Sequence, residues 1–299
     1  MINETSKPQN FQAAKLLLTG GTGFIGKNVL RLLSDKYEIT APRRAELNVV
    51  DQLSVDNYLK DKKFDIVLHC AILTPGRNPN DKEEDILDYT MRGLLNLKNH
   101  ENEFEKIIYI GSGAEFDKSR DIIKAKEEDL GKIIPKDAYG YAKYILTQIA
   151  RNSKNIYNLR IFGCYGQDEQ ERRFIRSAIT DCLNNRPVSI RQDCVFSYVL
   201  VDDLIKITDL IINNTPKFKD YNICNENCYK LSGLAQIVSD KMNNKNGIVI
   251  QNSGFNKEYT GDNSRFLNEF RDFKFKNIED GIEKEIKWLR GISNEETGC

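Results

Sequence analysis

Lys15-Leu16-Leu17-Leu18-Thr19 runs without interruption into Gly20-Gly21-Thr22-Gly23-Phe24-Ile25-Gly26, and Lys27 to Leu33 then carries helix formers with apolar positions at helical spacing. A continuous apolar strand, a glycine turn and a helix form the opening unit of an open parallel sheet. Each glycine has its own task. Gly20 suits the tight turn, Gly23 lets an anion approach the backbone, and Gly26 allows the helix to pack close on the strand. The helix N-terminus offers unpaired N–H groups to that anion. Gly20, Thr22, Gly23, Phe24, Ile25 and Gly26 are therefore the expected seat of a dinucleotide pyrophosphate.

Outward from this unit, continuous apolar runs predict strands at Tyr37–Ala41, Asp65–Cys70, Lys106–Ile110 and Ile156–Phe162, with a helix at Ala138–Ala150. Strands that do not alternate, separated by helix-length segments, indicate a parallel sheet covered on both faces. The second half reads as helices near Arg173–Leu183, Asp203–Ile212, Ser232–Lys241 and Ile282–Leu289, punctuated by Asn184-Asn185, Asn213-Asn214 and Asn243-Asn244. The expected fold class is α/β, a Rossmann-type doubly wound parallel sheet with a smaller C-terminal α/β substrate domain. The division expected is 12–166 with an interleaved 195–213 for the dinucleotide-binding domain, and 167–194 with 214–299 for the substrate-binding domain.

Composition narrows the function. With 44 Lys+Arg against 44 Asp+Glu in 299 residues, the chain lacks the cationic surplus a dedicated nucleic-acid binder needs to neutralise phosphates. No stretch approaches the roughly 20 apolar residues of a bilayer span, mean hydropathy is −0.53, and the N-terminus MINETSKPQNFQAAK has no secretory pattern. A short polar leader, a cytoplasmic location and no membrane or nucleic-acid partner are the expectations. The seven cysteines are odd in number and scattered, so reduced thiols are expected. Cys224 and Cys228 form a C-x3-C pair without a second pair or a nearby His, which reads as a turn and not as a zinc site, so no metal is expected.

The end of the second strand bears on which dinucleotide binds. A ribose hydroxyl is usually met there by a carboxylate, whereas a 2′-phosphate needs cations. The sequence reads Ala41-Pro42-Arg43-Arg44, and a guanidinium can donate two parallel charge-assisted hydrogen bonds to a phosphate. NADP is favoured, with NAD as the alternative.

Taken in order, TGGTGFIG, RRAELNVVD, HCA at Cys70, GSGAEF, Tyr139-Gly-Tyr-Ala-Lys143, LRIFGCYG at Leu159–Gly166 and VLVDDL at Val199–Leu204 resemble the extended short-chain dehydrogenases/reductases, the NAD-dependent epimerase/dehydratase family in its nucleotide-sugar-modifying branch. The resemblance spans nearly the whole chain. It implies that Asp51, Cys70 and Ala71 join the cofactor site, that Lys143 and Tyr139 also contact the cofactor, and that the protein is a homodimer through paired helices.

Tyr139 and Lys143 lie four apart on a predicted helix and share a face, whereas Tyr141 points away from Lys143. A free tyrosine has a pKa of about 10, and a neighbouring ammonium is expected to lower it toward the working range. Ser112, at the end of the fourth strand, is expected to hydrogen-bond a substrate oxygen as its charge changes, with Gly113 beside it in the substrate site. Ser112, Tyr139 and Lys143 are thus the expected catalytic residues.

In sugar 4,6-dehydratases of this family an Asp-Glu pair follows the catalytic hydroxyl residue; Gly113 and Ala114 stand there and cannot move protons. In the 3,5-epimerase/reductases a Cys takes part, and Ala114 occupies its place. Hydride transfer alone remains. The expected activity is NADPH-dependent reduction of the C4 ketone of an NDP-4-keto-6-deoxysugar, feeding a surface polysaccharide such as lipopolysaccharide. An NAD-dependent 4-epimerase, a reductase of another small carbonyl compound and a non-catalytic dinucleotide-binding regulator are the alternatives. Departures from the family pattern are Thr90 and Gly163 at two usual Asn positions, and Phe196 where an arginine commonly grips the substrate pyrophosphate. Arg172, Arg173 and Arg191, with Arg265, are the candidate replacements, and local positive charge is expected at Arg43-Arg44, Lys143 and Arg172-Arg173.

Overall fold

The computed structural model describes residues 13–73 and 82–297, so the N-terminal leader and Cys299 lie outside the described residues. In chain order the first elements are β1 (Lys15–Thr19), α1 (Phe24–Leu33), β2 (Glu38–Thr40), α2 (Gln52–Leu59), β3 (Ile66–His69), α3 (Ile86–Lys98) and β4 (Lys106–Ser112). Next come β5 (Ile122–Ala125), α4 (Ala138–Arg151), β6 (Ile156–Ile161), β7 (Gly163–Tyr165), α5 (Phe174–Leu183), β8 (Val188–Asp193), β9 (Val195–Leu200) and α6 (Val201–Asn213). The chain continues through β10 (Asp220–Ile223), β11 (Cys228–Lys230), α7 (Leu231–Met242), β12 (Ile248–Phe255), β13 (Tyr259–Gly261), α8 (Ser264–Glu269) and α9 (Ile278–Thr297).

Six strands form a wholly parallel sheet in the order β2-β1-β3-β4-β6-β10. Its strands β1, β3 and β4 are apolar over most of their length because both faces are covered. Leu16, Leu18, Ile66, Leu68 and Ile108 face Val29 and Leu33 of α1 and Leu204 and Ile207 of α6. Leu17, Val67, Ile107 and Tyr109 point the other way, into Val55 of α2, Leu94 and Leu97 of α3 and Leu146 of α4. A fully buried side chain of this kind stabilises by about 1.5–3 kcal/mol, so both helical layers are fastened by strand residues one position apart. From β1 the chain goes to β2 on one side and returns as β3 on the other. That reversal opens a crevice at the carboxyl ends of β1 and β3.

Strands β5, β7, β9, β11 and β13 form a five-stranded sheet, and β8 and β12 a two-stranded one. Helices α5, α7 and α9 close a third core with Ile175, Ile179, Leu234, Val238 and Ile282. Two assignments of the expected domain division are amended here. Asp220–Ile223, expected in the substrate-binding part, is the edge strand of the large sheet, paired with β6. Its sequence DYNI looks polar, but Tyr221 and Ile223 enter the core while Asp220 and Asn222 bond to Arg160. Val195–Leu200, expected with the dinucleotide-binding part, belongs to the smaller sheet, and only α6 returns to pack on α1. Helix α1 begins at Phe24 and not at Lys27, because the glycine turn itself supplies the first helical residues. No helix among the described residues is long and apolar enough to cross a membrane.

Candidate active site

A cleft of about 1070 Å³ opens at the crevice, lined at one end by Gly20 through Gly26. Gly20 has φ +75°, and a Cβ there would lie 2.7 Å from the backbone of Cys70 and Ala71. At Gly26 a Cβ would sit 2.2 Å from the Gly20 carbonyl oxygen, so α1 approaches the turn as only glycine permits. Gly23 caps α1 without a side chain, and its N–H donates to Gly20 O at 2.9 Å. The N–H groups of the first helical turn thus remain for an anion in the cleft, a cradle that side chains would fill. The residues present fit a dinucleotide.

Thr22, Phe24 and Ile25 line this end, as do Arg43, Arg44, Cys70 and Ala71. Glu46 accepts the backbone N–H of Arg43 at 2.8 Å, which shapes the turn after β2, and the Arg44 guanidinium lies 5.1 Å over the Tyr89 ring. Burial pushes the Cys70 thiol up to about 12, leaving it a packing residue. Asp51 departs from expectation: it is exposed, does not line the cleft, and caps α2 by accepting the Leu53 N–H at 3.0 Å.

Ser112 and Tyr139 line the middle of the cleft, with Lys143 buried one helical turn beyond Tyr139. Helix α4 is capped by Asp137, whose carboxylate accepts the Gly140 N–H at 2.9 Å and so sets the register that presents Tyr139. The Ser112 Oγ accepts the Ala114 N–H at 3.2 Å. The expected acidification of Tyr139 by Lys143 is not what the structure shows. Burial pushes the phenol up to about 12, with a hydrogen bond to Ser112 acting in the opposite direction. Lys143 Nζ donates to the Ile110 carbonyl at 2.7 Å and lies 5.9 Å from the Tyr139 ring centre, while burial pulls its ammonium down to about 8.

Beneath these residues lies a buried polar network. Glu115, fully buried, accepts from the Ser112 N–H at 3.0 Å, Thr147 Oγ1 at 2.8 Å and Arg160 Nε at 2.6 Å. Arg160 also donates to Asp220 at 2.9 Å, and Asp220 in turn binds Arg151 and Arg265. Strands β4, β6 and β10 and helix α4 are thereby tied together directly under Ser112.

At the far end the cleft is lined by Arg172 and Arg173, where Glu169 contacts Arg173 at 3.4 Å. Two expected substrate residues lie elsewhere. Arg191 is at an exposed position of β8, outside the cleft, because alternation along that strand turns it to solvent while Ile190 faces the core. Arg265 is held by Glu127, Glu128 and Asp220. Gly113 is buried and does not line the cleft; a Cβ there would meet the Phe162 ring at 2.6 Å and Tyr259 Oη at 2.8 Å, so it makes room for those rings. The structure adds Lys118, Arg120, Lys257 and Tyr259 to the lining. Lys118, close after Ser112 in sequence and 5.8 Å from the Tyr139 ring centre, was within reach of sequence reasoning. Tyr259 carried no local signal.

A dinucleotide cradle at the switch point, with a serine, a tyrosine and a lysine grouped beside it, defines the extended short-chain dehydrogenase/reductase class. Residues 16–224 match the NAD dependent epimerase/dehydratase family, and the chain belongs to it. It is 30% identical over 111 residues to GDP-L-colitose synthase of Yersinia pseudotuberculosis, a match spanning 36% of each chain. It is 25% identical over 296 residues to GDP-6-deoxy-D-talose 4-dehydrogenase of Aggregatibacter actinomycetemcomitans, covering 91% of this chain and 97% of that one. Its fold is like that of a GDP-mannoheptose C4 reductase from Campylobacter jejuni with NADP bound, at a TM-score of 0.80 and 18% identity, covering 94% of this chain and 100% of that one.

Proposed function

We propose that the protein reduces the C4 ketone of an NDP-4-keto-6-deoxysugar with NADPH. The carrying observation is that Ser112 and Tyr139 meet at the cleft while no acid or base accompanies them at Gly113 or Ala114. Glu115, the next carboxylate, is spent on Ser112, Thr147 and Arg160 and is shut away from the cleft. Such a site serves a carbonyl and its alcohol; elimination and proton abstraction beside the carbonyl need a further base. The names of the Aggregatibacter and Campylobacter relatives, both acting at position 4 of a GDP-sugar, support this reading.

The cradle of Gly20 to Gly26 would hold the cofactor pyrophosphate, and Arg43 and Arg44 the 2′-phosphate. When bound, the nicotinamide supplies hydride to the carbonyl carbon. Tyr139 gives its phenolic proton to the carbonyl oxygen as charge develops there, and Ser112 donates a hydrogen bond to the same oxygen. Lys143, held by the Ile110 carbonyl, would donate to the cofactor ribose, as the family resemblance implies. Arg172 and Arg173 take the substrate diphosphate in place of the family arginine replaced by Phe196.

The test is NADPH oxidation by purified protein with a GDP- or dTDP-4-keto-6-deoxyhexose. Stoichiometric NADPH loss with a 6-deoxyhexose product is expected, and Tyr139→Phe should lower kcat by about 10²–10⁴-fold with cofactor binding retained. Tightly copurified NAD with interconversion of C4 epimers and no net NADPH oxidation would overturn the reductase reading in favour of an epimerase.

A further inference from the structure

Ser112 has a second phenol beside it. Tyr259 reaches the cleft because β13 pairs with both β5 and β9, and its Oη lies 3.4 Å from Ser112 Oγ. Its ring packs between Phe162 at 5.2 Å and Phe196 at 5.3 Å, so the hydroxyl is delivered by a fixed aromatic wall. The residue after Ser112 is glycine, and a Cβ there would come within 2.8 Å of that Oη. The approach of Tyr259 to Ser112 therefore depends on Gly113.

A serine hydroxyl has one hydrogen to donate and two lone pairs. The Ala114 N–H occupies one lone pair of Ser112 at 3.2 Å. We propose that Tyr259 is a positioning residue that donates to the other, so that the only hydrogen of Ser112 is left to point into the cleft, at Tyr139 in the free protein and at the reacting oxygen once substrate is bound. Burial holds the Tyr259 phenol well above its ordinary value, so it stays a donor across the working pH range. With Tyr259 in place both acceptor sites of Ser112 are filled and its one hydrogen can serve only as a donor toward the cleft, the role needed to stabilise an oxyanion. This inference rests on the carbonyl-reduction reading for its kinetic consequence, but not for its structural one.

Tyr259→Phe retains the ring and removes the donor. In protein labelled with [ζ-13C]tyrosine, the Tyr139 resonance, assigned by its loss in Tyr139→Phe, should shift at pH 7 in Tyr259→Phe and show no such shift when Tyr259→Phe is added to Ser112→Ala. Gly113→Ala, which forces the phenol away, should reproduce the shift. In turnover kcat should fall by about tenfold with the cofactor KM unchanged, and the loss should disappear in the Ser112→Ala background. An unmoved Tyr139 resonance in Tyr259→Phe, or a shift of equal size with and without Ser112, would overturn the proposal. A shifted resonance in a protein that reduces no ketosugar would sink the reductase reading and leave the positioning role standing.

Discussion

At the scale of single residues, burial is the dominant force on the candidate catalytic groups. Lys143 is 2% exposed and its ammonium is drawn down to about 8. A lysine used as a cation is lost when pH rises through that value, so kcat/KM should fall above about pH 8 as Lys143 deprotonates. The pH profile of the free enzyme checks this, and Lys143→Met should lower kcat/KM by about 100-fold or more and remove that alkaline limb. The Tyr139 phenol is pushed up to about 12 by the same desolvation, which keeps it protonated and ready to act as an acid across the neutral range.

At the scale of elements, two devices hold the site. The first is the turn between β1 and α1. Gly26→Ala would place a methyl 2.2 Å from the Gly20 carbonyl, so the helix must back away from the strand. The expected outcome is loss of dinucleotide affinity by roughly tenfold or more, about 1.4 kcal/mol, measured by calorimetric titration with NADPH and NADP. The second device is the charged layer under β4, β6 and β10. Arg160 is fully buried between Glu115 and Asp220, and removing one partner strands the others in a low-dielectric interior. Arg160→Ala should cost about 3–5 kcal/mol in urea unfolding. Burial tends to raise the Asp220 carboxyl, but Arg160 and Arg151 hold it below its ordinary value. The stability it contributes is present above the unfolded pKa and is lost as pH falls through the folded one.

At the scale of the whole molecule, the junction between the large sheet and the α5–α7–α9 layer is under electrostatic load. Glu169, after β7, is pushed up to about 8 by burial, with Glu285 adding to the rise, and Glu285 on α9 to about 7 by burial, with Asp168 and Asp202 adding to it. A carboxyl whose folded pKa lies above its ordinary 4.5 binds more protons folded than unfolded between those values. Stability should therefore decline as pH rises from about 5 to about 8. Glu169→Gln should flatten that decline and raise stability at pH 8 by about 1–3 kcal/mol, with little change at pH 5, as read by urea midpoints.

The zero net charge likewise has a distribution at this scale. Arg43, Arg44, Lys118, Arg120, Arg172, Arg173 and Lys257 all line the cleft, while acids such as Glu115 and Asp220 neutralise the interior beneath it. What local order can specify was legible in the chain: KLLLT and the glycines that follow dictate strand, turn and helix through backbone sterics, and continuous apolar runs announce strands buried on both faces. The serine and the Tyr-Lys pair were legible for the same reason, since a strand end and a helical spacing of four set their direction. Tertiary structure alone decided the rest. DYNI became a core strand because Arg160 awaited its polar side chains, and Tyr259 reached Ser112 only because β13 crossed between β5 and β9. Desolvation, which sets the proton affinities of Tyr139, Lys143 and Glu169, depends on what packs around a group and so has no expression in the order of residues.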